Sequence, residues 1–187
     1  NSLYGSLNLG WKHLLYMDAT LRGDQSSTLP TNNNVYVYPS FSGSFVFSEL
    51  TKLGNLLPYG KLRMSWAQVG SDTDPYQLGL VYTKSKFTYP GYTIGYINNN
   101  TIPNKDLKPT RTNSFEIGIE TKFLNNRMGL DITYYSQKSK NQIMGMASSW
   151  TSGYTYRLIN AGEIDNKGVE IALNTRPIQT KDFSWDL

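Results

Sequence analysis

Three carboxylates, Glu116, Glu120 and Asp131, stand close together in the chain, and the cation Arg63 lies upstream of them. Paired acids do general acid–base work when one is held protonated and the other ionised beside a reacting group. No nucleophile, base and orienter set accompanies these residues, so the chemistry they support is solvation of a wet surface, and the chain is not read as an enzyme. There is no Cys and a single histidine, His13, which removes disulfides, thiolate metal sites and His-based zinc sites. No metal and no cofactor is expected. Trp150, Tyr154 and Tyr156 lie in the segment "GMASSWTSGYTYR". Their flat rings suit stacking on sugars or apolar ligand surfaces, although long loops also need such rings for small cores of their own. Arg22, Gly23 and Asp24 spell an adhesion tripeptide, read here as the start of a loop. Asn99, Asn100 and Thr101 form a glycosylation sequon, which carries no meaning in a bacterial cell.

The carboxylates sit inside a pattern. In "SFEIGIETKFLNNRMGLDITYY", Phe115, Ile117, Ile119 and Phe123 share one parity and Glu116, Gly118, Glu120 and Lys122 the other. That is the period of a strand with unlike faces. Asn125 and Asn126 mark a two-residue turn, since Asn tolerates the left-handed backbone of tight hairpins. Beyond it Leu130, Ile132 and Tyr134 alternate with Asp131 and Thr133. An even-numbered loop puts both apolar sets on one surface. The same period predicts about eight strands in all: one around Leu3 to Trp11, one from Leu15 to Leu21, one marked by Phe41, Phe45 and Phe47, one around Leu62 to Trp66, the two just described, one from Val169 to Leu173, and one opening at Phe183, Trp185 and Leu187.

Composition agrees with an all-β chain. The 187 residues are 13% aromatic, with 14 Tyr, and only 17% charged, a balance rich in strand formers. The net charge is +4, but the 18 Lys and Arg are scattered singly, so a nucleic-acid partner is not expected. No stretch approaches the roughly eighteen apolar residues of a membrane helix. The chain starts without Met and stops in mid-pattern, which reads as a piece of something larger.

Connections between the predicted strands alternate. Those near 12–14, 48–60, 124–127 and 176–182 are short or moderate, and those near 23–38, 70–112 and 138–166 are long. Neighbouring antiparallel strands reverse direction, so all short turns fall at one end and all long loops at the other. Outer-membrane barrels have that arrangement, with short periplasmic turns, long extracellular loops, an apolar exterior and a polar lumen. Trp11, Phe47, Phe123, Phe183 and Trp185 fall at the short-turn end on the apolar parity, where an interfacial girdle belongs. An open edge is not tolerated in hydrocarbon, so further strands are expected to close the sheet. On this reading Phe115, Ile117, Ile119, Leu130 and Ile132 face lipid, and Arg63, Glu116, Glu120 and Asp131 face the lumen or what fills it. The alternative is a secreted or surface β-sandwich that binds carbohydrate through Trp150, Tyr154 and Tyr156.

Longer stretches carry a family likeness. "LLYMDATLRGDQSSTLPTNNNVYVYPSFSGSFVFSEL" resembles the segment of SusC/RagA-type TonB-dependent transporters in which an Arg-x-Asp-x-Ser-Ser loop leads to a Tyr/Phe-Pro-Ser strand. "YGKLRMSWAQVGSD" and "LKPTRTNSFEIGIETKFLNNRMGLDITYYSQKSKNQI" are similar to the strand and hairpin that follow. "NAGEIDNKGVEIALNTRPIQTKDFSWDL" resembles the family's Asn-x-Gly-x-Ile-x-Asn-Lys-Gly-Val-Glu motif. The resemblance implies a plugged barrel of the 22-stranded class in the outer membrane of a Gram-negative, Bacteroidota-type cell. It also implies import of glycans or oligopeptides powered by TonB, with a SusD-like surface lipoprotein over the mouth. Residues 1–187 are then expected to be part of one barrel domain, with the plug domain and TonB box not in this chain.

Overall fold

Alternating side chains satisfy a strand only when its backbone groups pair on both sides, and the ladder here runs well beyond the apolar alternation. A computed structural model describes residues 1–51, 56–87, 89–97, 100–181 and 183–187. The strands are β1 (Ser2–Trp11), β2 (Leu15–Gln25), β3 (Val35–Phe45), β4 (Tyr59–Ser71), β5 (Tyr82–Lys84), β6 (Gly95–Ile97), β7 (Thr101–Ile102), β8 (Thr110–Phe123), β9 (Met128–Lys140), β10 (Ile143–Ala147), β11 (Tyr156–Asn160), β12 (Glu163–Thr175), β13 (Ile178–Gln179) and β14 (Ser184–Trp185). A four-residue helix, α1 (Ser48–Thr51), follows β3. Seven long strands form one antiparallel sheet in the order β1-β2-β3-β4-β8-β9-β12. They span 10 to 14 residues, the length that crosses a bilayer rather than the five or six usual in soluble sheets. The sheet is not closed, and β1 and β12 are its edges.

Register sorts the side chains into two faces. Leu62, Ile119, Ile132 and Ile171 lie in one row across β4, β8, β9 and β12, and Met64, Ile117, Tyr134 and Val169 lie in the next. Phe41 stacks on Trp66, ring centroids 6.2 Å apart, and extends this face towards β3. Nothing covers it among the described residues: Ile171 is 68% exposed and Leu3 81%. A β-sandwich would bury such a face under a second sheet about 10 Å away. The sandwich alternative has no such layer here.

Several expected boundaries move. β2 runs to Gln25 and β3 begins at Val35, so the loop expected over 23–38 shrinks to 26–34 and is shorter than the connection over 46–58. Arg22 to Asp24 is therefore strand rather than the start of a loop, with Arg22 paired to Asp24 at 3.0 Å. Polar residues there still complete the ladder, which needs only backbone groups. Phe47 lies past the end of β3, its ring laid over Gly60. The turn expected at Asn125 and Asn126 takes four residues: Leu124, Asn125 and Asn126 are all left-handed, and the Arg127 N–H donates to the Leu124 carbonyl at 3.2 Å. An even count is preserved, so both apolar sets share a face as anticipated. The eighth strand is two residues of β14 paired with β13, after which Leu187 exchanges two 2.8 Å backbone bonds with Thr175 at the end of β12.

The long-loop end has its own small core. Leu29, Tyr36, Leu107 and Leu158 are buried together, with Tyr38, Leu78 and Ile143 against them. Three loops and β3 meet there. β10, β11 and β7 make a separate small sheet, and β5 pairs with β6 as a hairpin.

Candidate functional site

The polar face of the sheet brings the predicted residues together. Arg63 on β4 reaches across β8 to β9, donating through Nη1 and Nη2 to the two carboxylate oxygens of Asp131, both at 2.8 Å. Nη2 also donates to the Thr133 hydroxyl at 2.5 Å, and that hydroxyl donates to Asp131 at 3.1 Å. Such a planar two-point pair is the strong form of guanidinium recognition. It passes over Gly118, where a Cβ would sit 2.8 Å from Arg63 Nε and 2.9 Å from Thr133 Oγ1. The missing side chain is what lets a cation on one strand reach an acid two strands away. Tyr135 and Gly168 repeat the device on β9 and β12, with the tyrosine hydroxyl 2.7 Å from where a Cβ would be.

On this face Lys61 also meets Glu120 at 2.9 Å. On the apolar parity, past its last aliphatic row at the long-loop end, Lys140 meets Glu163 at 3.5 Å and Lys138 bridges Glu163 and Asp165. Asp18 accepts from Asn8 and, at 3.2 Å, from Ser42. Glu120 and Asp131 are thus engaged, whereas Glu116 has no hydrogen bond or ion pair among the described residues and meets Arg63 only through its charge. With Glu170, Thr133, Tyr135 and Asn166 it lines a concavity of about 300 Å³. Glu170, likewise without an ion pair among the described residues, was missed in the sequence. It lies on the polar parity of β12 opposite Thr133, but only the register reveals that no cation stands beside it.

Phe115, Ile117, Ile119, Leu130 and Ile132 occupy the opposite face. Of the aromatics expected to form a girdle, Trp11 and Phe123 end β1 and β8 beside the short turns, and Phe183 and Trp185 lie in the terminal hairpin at that same end. Lys12 stands 4.9 Å over the Trp11 ring.

At the other end Trp150 is 82% exposed on a single 3-10 turn between β10 and β11. Tyr154 is half-buried beside it, and Tyr156 begins β11 with its side chain against Gly145. A second aromatic group was not singled out in the sequence: Tyr76, Tyr82, Phe87, Tyr89 and Tyr92, all between 68% and 83% exposed, on and around the β5–β6 hairpin. The sequon's Asn99 lies outside the described residues.

A family model described as TonB dependent receptor-like, beta-barrel, matches residues 1–187. The chain belongs to that family. It is a section of an outer-membrane TonB-dependent receptor barrel, as the long strands and two-faced sheet require. It is similar to TonB-dependent receptor P26 of Formosa agariphila, 28% identical over 187 residues that cover 98% of this chain and 19% of that protein. It is also similar to TonB-dependent receptor SusC of Bacteroides thetaiotaomicron, 28% identical over 194 residues, 100% of this chain and 19% of SusC. Among solved structures it matches the RagAB peptide transporter with a TM-score of 0.87 and 25% identity, over 98% of this chain and 20% of that one. The chain thus spans about a fifth of the length of these relatives.

Proposed function

We propose that residues 1–187 form part of the barrel domain of a TonB-dependent active importer of glycans or oligopeptides that works with a SusD-like surface lipoprotein. One observation carries this reading: a single sheet with an uncovered apolar face, a salt-bridged polar face and its two longest connections, 72–109 and 141–162, at one end. Each apolar side chain left in water forgoes about 1.5–3 kcal/mol of burial, a loss that vanishes against acyl chains. Phe115, Ile117, Ile119, Leu130 and Ile132 are the lipid contacts, and Arg63, Glu116, Glu120 and Asp131 line the lumen.

Within that lumen the wall offers two kinds of charge. The Arg63–Asp131 and Lys61–Glu120 pairs are satisfied on the sheet and stiffen it. Glu116 and Glu170 have no ion pair among the described residues, and cations on the domain that fills the barrel would supply their counter-ions. Movement of that domain, driven through TonB, opens a path along this polar face. Both cargo classes stand, since the RagAB structures are named for a peptide importer and the likeness to SusC carries no cargo in its name.

The test uses the full-length receptor in its own cell. A strain lacking the gene should lose uptake of a labelled oligosaccharide or oligopeptide mixture and regain it with the wild-type gene. Uptake should stop when TonB is removed, and the lipoprotein should co-purify with the receptor. Uptake that persists without TonB would sink the importer reading.

A further inference from the structure

The apolar face changes character before its strands end. Along β8 its parity runs from Phe123 through Ile119, Ile117 and Phe115 to Asn113 and Arg111, and along β9 from Ile132 and Tyr134 to Ser136, Lys138 and Lys140. On β12 Val169 is followed, towards the long-loop end, by Lys167, Asp165 and Glu163. A charged group therefore sits on the outer parity of three neighbouring strands, above the aliphatic rows, at the end that faces outward in barrels of this kind. It holds four cations and two acids. Glu163 and Asp165 are engaged by Lys138 and Lys140, while Arg111 and Lys167 have no ion pair among the described residues.

Arg111 and Lys140 lie directly opposite each other in the ladder. Like charges in that position destabilise a sheet, and an anion between them removes the cost. Height decides which anion. Arg111 is twelve residues along β8 from Phe123, a climb of about 41 Å of strand at roughly 3.4 Å per residue, and of about 31 Å along the membrane normal at a tilt of about 40°. Phe115, eight residues from Phe123, stands about 21 Å up on the same scale. The apolar band of such barrels is about 25 Å tall, and the headgroup layer beyond the hydrocarbon is about 5–7 Å deep. Phe115 thus falls among acyl chains and Arg111 in the headgroup layer. A lipid supplies both contacts at once. Its phosphate oxygens accept from a guanidinium and an ammonium together, and its chains lie against Phe115, Ile117 and Tyr134.

We infer that Arg111 and Lys140, with Lys138 and Lys167 beside them, hold the phosphate of an anionic outer-leaflet lipid whose acyl chains lie on the wall below. The inference goes beyond the importer reading and rests only on the outward face meeting lipid. A free anion would meet the cations and gain nothing from the aliphatic rows. An acidic protein surface would have to displace headgroups to reach them.

Binding is measured by native mass spectrometry of the purified full-length receptor in neutral detergent. The probes are bisphosphorylated lipid A, the same lipid dephosphorylated, and inorganic pyrophosphate. The phosphorylated lipid should bind about thirtyfold tighter than its dephosphorylated form, the effect of two basic groups near a membrane surface. R111Q/K140Q should remove most of that difference and leave the dephosphorylated lipid unchanged. R111K/K140R should keep it, and K12Q at the opposite end should not alter it. Without lipid, R111Q/K140Q should melt no lower than the wild type, because it removes a repulsion. Equal binding of the two lipids, or an unaltered affinity in R111Q/K140Q, would overturn the proposal. So would displacement of the lipid by pyrophosphate at comparable affinity, which would assign the cations to a soluble anion. Loss of the co-purifying lipoprotein in R111Q/K140Q with lipid binding intact would assign them to a protein partner instead. The folded fraction of Ile119→Lys in bilayers reports on the acyl-facing wall alone, and TonB-dependent uptake on the importer, so each reading fails separately.

Discussion

The wall of the sheet and the cluster beneath the long loops solve the same physical problem in opposite ways. Leu107, 0% exposed, is packed with Leu29, Tyr36 and Leu158 into an oily centre made by the loops themselves. Ile119 and Ile132 sit in a row with Leu62 and Ile171 across four strands, and nothing among the described residues covers that row. Loops in water must bury their own apolar groups, while a wall in lipid leaves that task to its solvent. Stability in the wall therefore comes from the backbone ladder and from cross-strand charge, and stability in the loops from packing.

The sharpest way to break this comparison is to damage each region in its own currency. Leu107→Ala should cost about 2–5 kcal/mol locally, as a cavity in a dry cluster does. Hydrogen exchange on the full-length receptor should rise across the loops and stay unchanged in β8 and β9. If exchange rose equally in the strands, the loop cluster would be part of a single core with the wall. Ile119→Lys should do the reverse, destabilising the membrane-inserted barrel by about 2–4 kcal/mol, the cost of a cation at mid-bilayer. The readout is the folded fraction by heat-modifiable gel mobility in urea. A neutral outcome for I119K would mean that water, not lipid, meets this face.

How much of this was visible in the residues follows the same division. Alternation at Phe115, Ile117 and Ile119 found the strands and their faces, because the preference of a side chain for oil or water is a local property. Strand ends were harder. Gly23 to Gln25 and Val35 to Tyr38 are paired although little in them alternates cleanly, since the ladder uses backbone groups that every residue carries. Among the site residues, Glu116, Glu120 and Asp131 look alike in the sequence, yet the latter two are paired and Glu116 is not. For Glu120 the cation is Lys61, directly opposite on β4, and for Asp131 it is Arg63, two strands away across a glycine; both depend on register. The tyrosines of the β5–β6 hairpin were hidden for another reason. The long loops were read for their Gly, Asn, Thr, Ser and Tyr as a class, and no strand period ties these particular rings together.

Gly118 offers a smaller and more discriminating perturbation than a new charge. Gly118→Val puts a side chain into the space occupied by Arg63 and the Thr133 hydroxyl, and overpacking of this kind costs about 1–3 kcal/mol. The loss should shrink when Arg63→Ser is combined with it, because the clash and the pair share one partner. A strictly additive double variant in urea titrations would show that the guanidinium does not cross Gly118 in the folded barrel.

The smallest effect separates a wet lumen from a filled one. Lys61 and Glu120 are about a quarter exposed, so removing the pair through Lys61→Gln should cost only about 0.2–1 kcal/mol in the open sheet. In a water-filled barrel that difference should disappear in high salt, where exposed charges are screened within a few ångströms. If a plugging domain packs on this face, the pair is shielded and K61Q keeps its effect at high salt. The same domain would then bring cations to Glu116 and Glu170, and E116Q with E170Q should loosen its attachment without lowering the stability of the strands. Salt sensitivity at Lys61 together with no effect at the two glutamates would leave this stretch of wall lining open water, and the charges would serve the sheet alone.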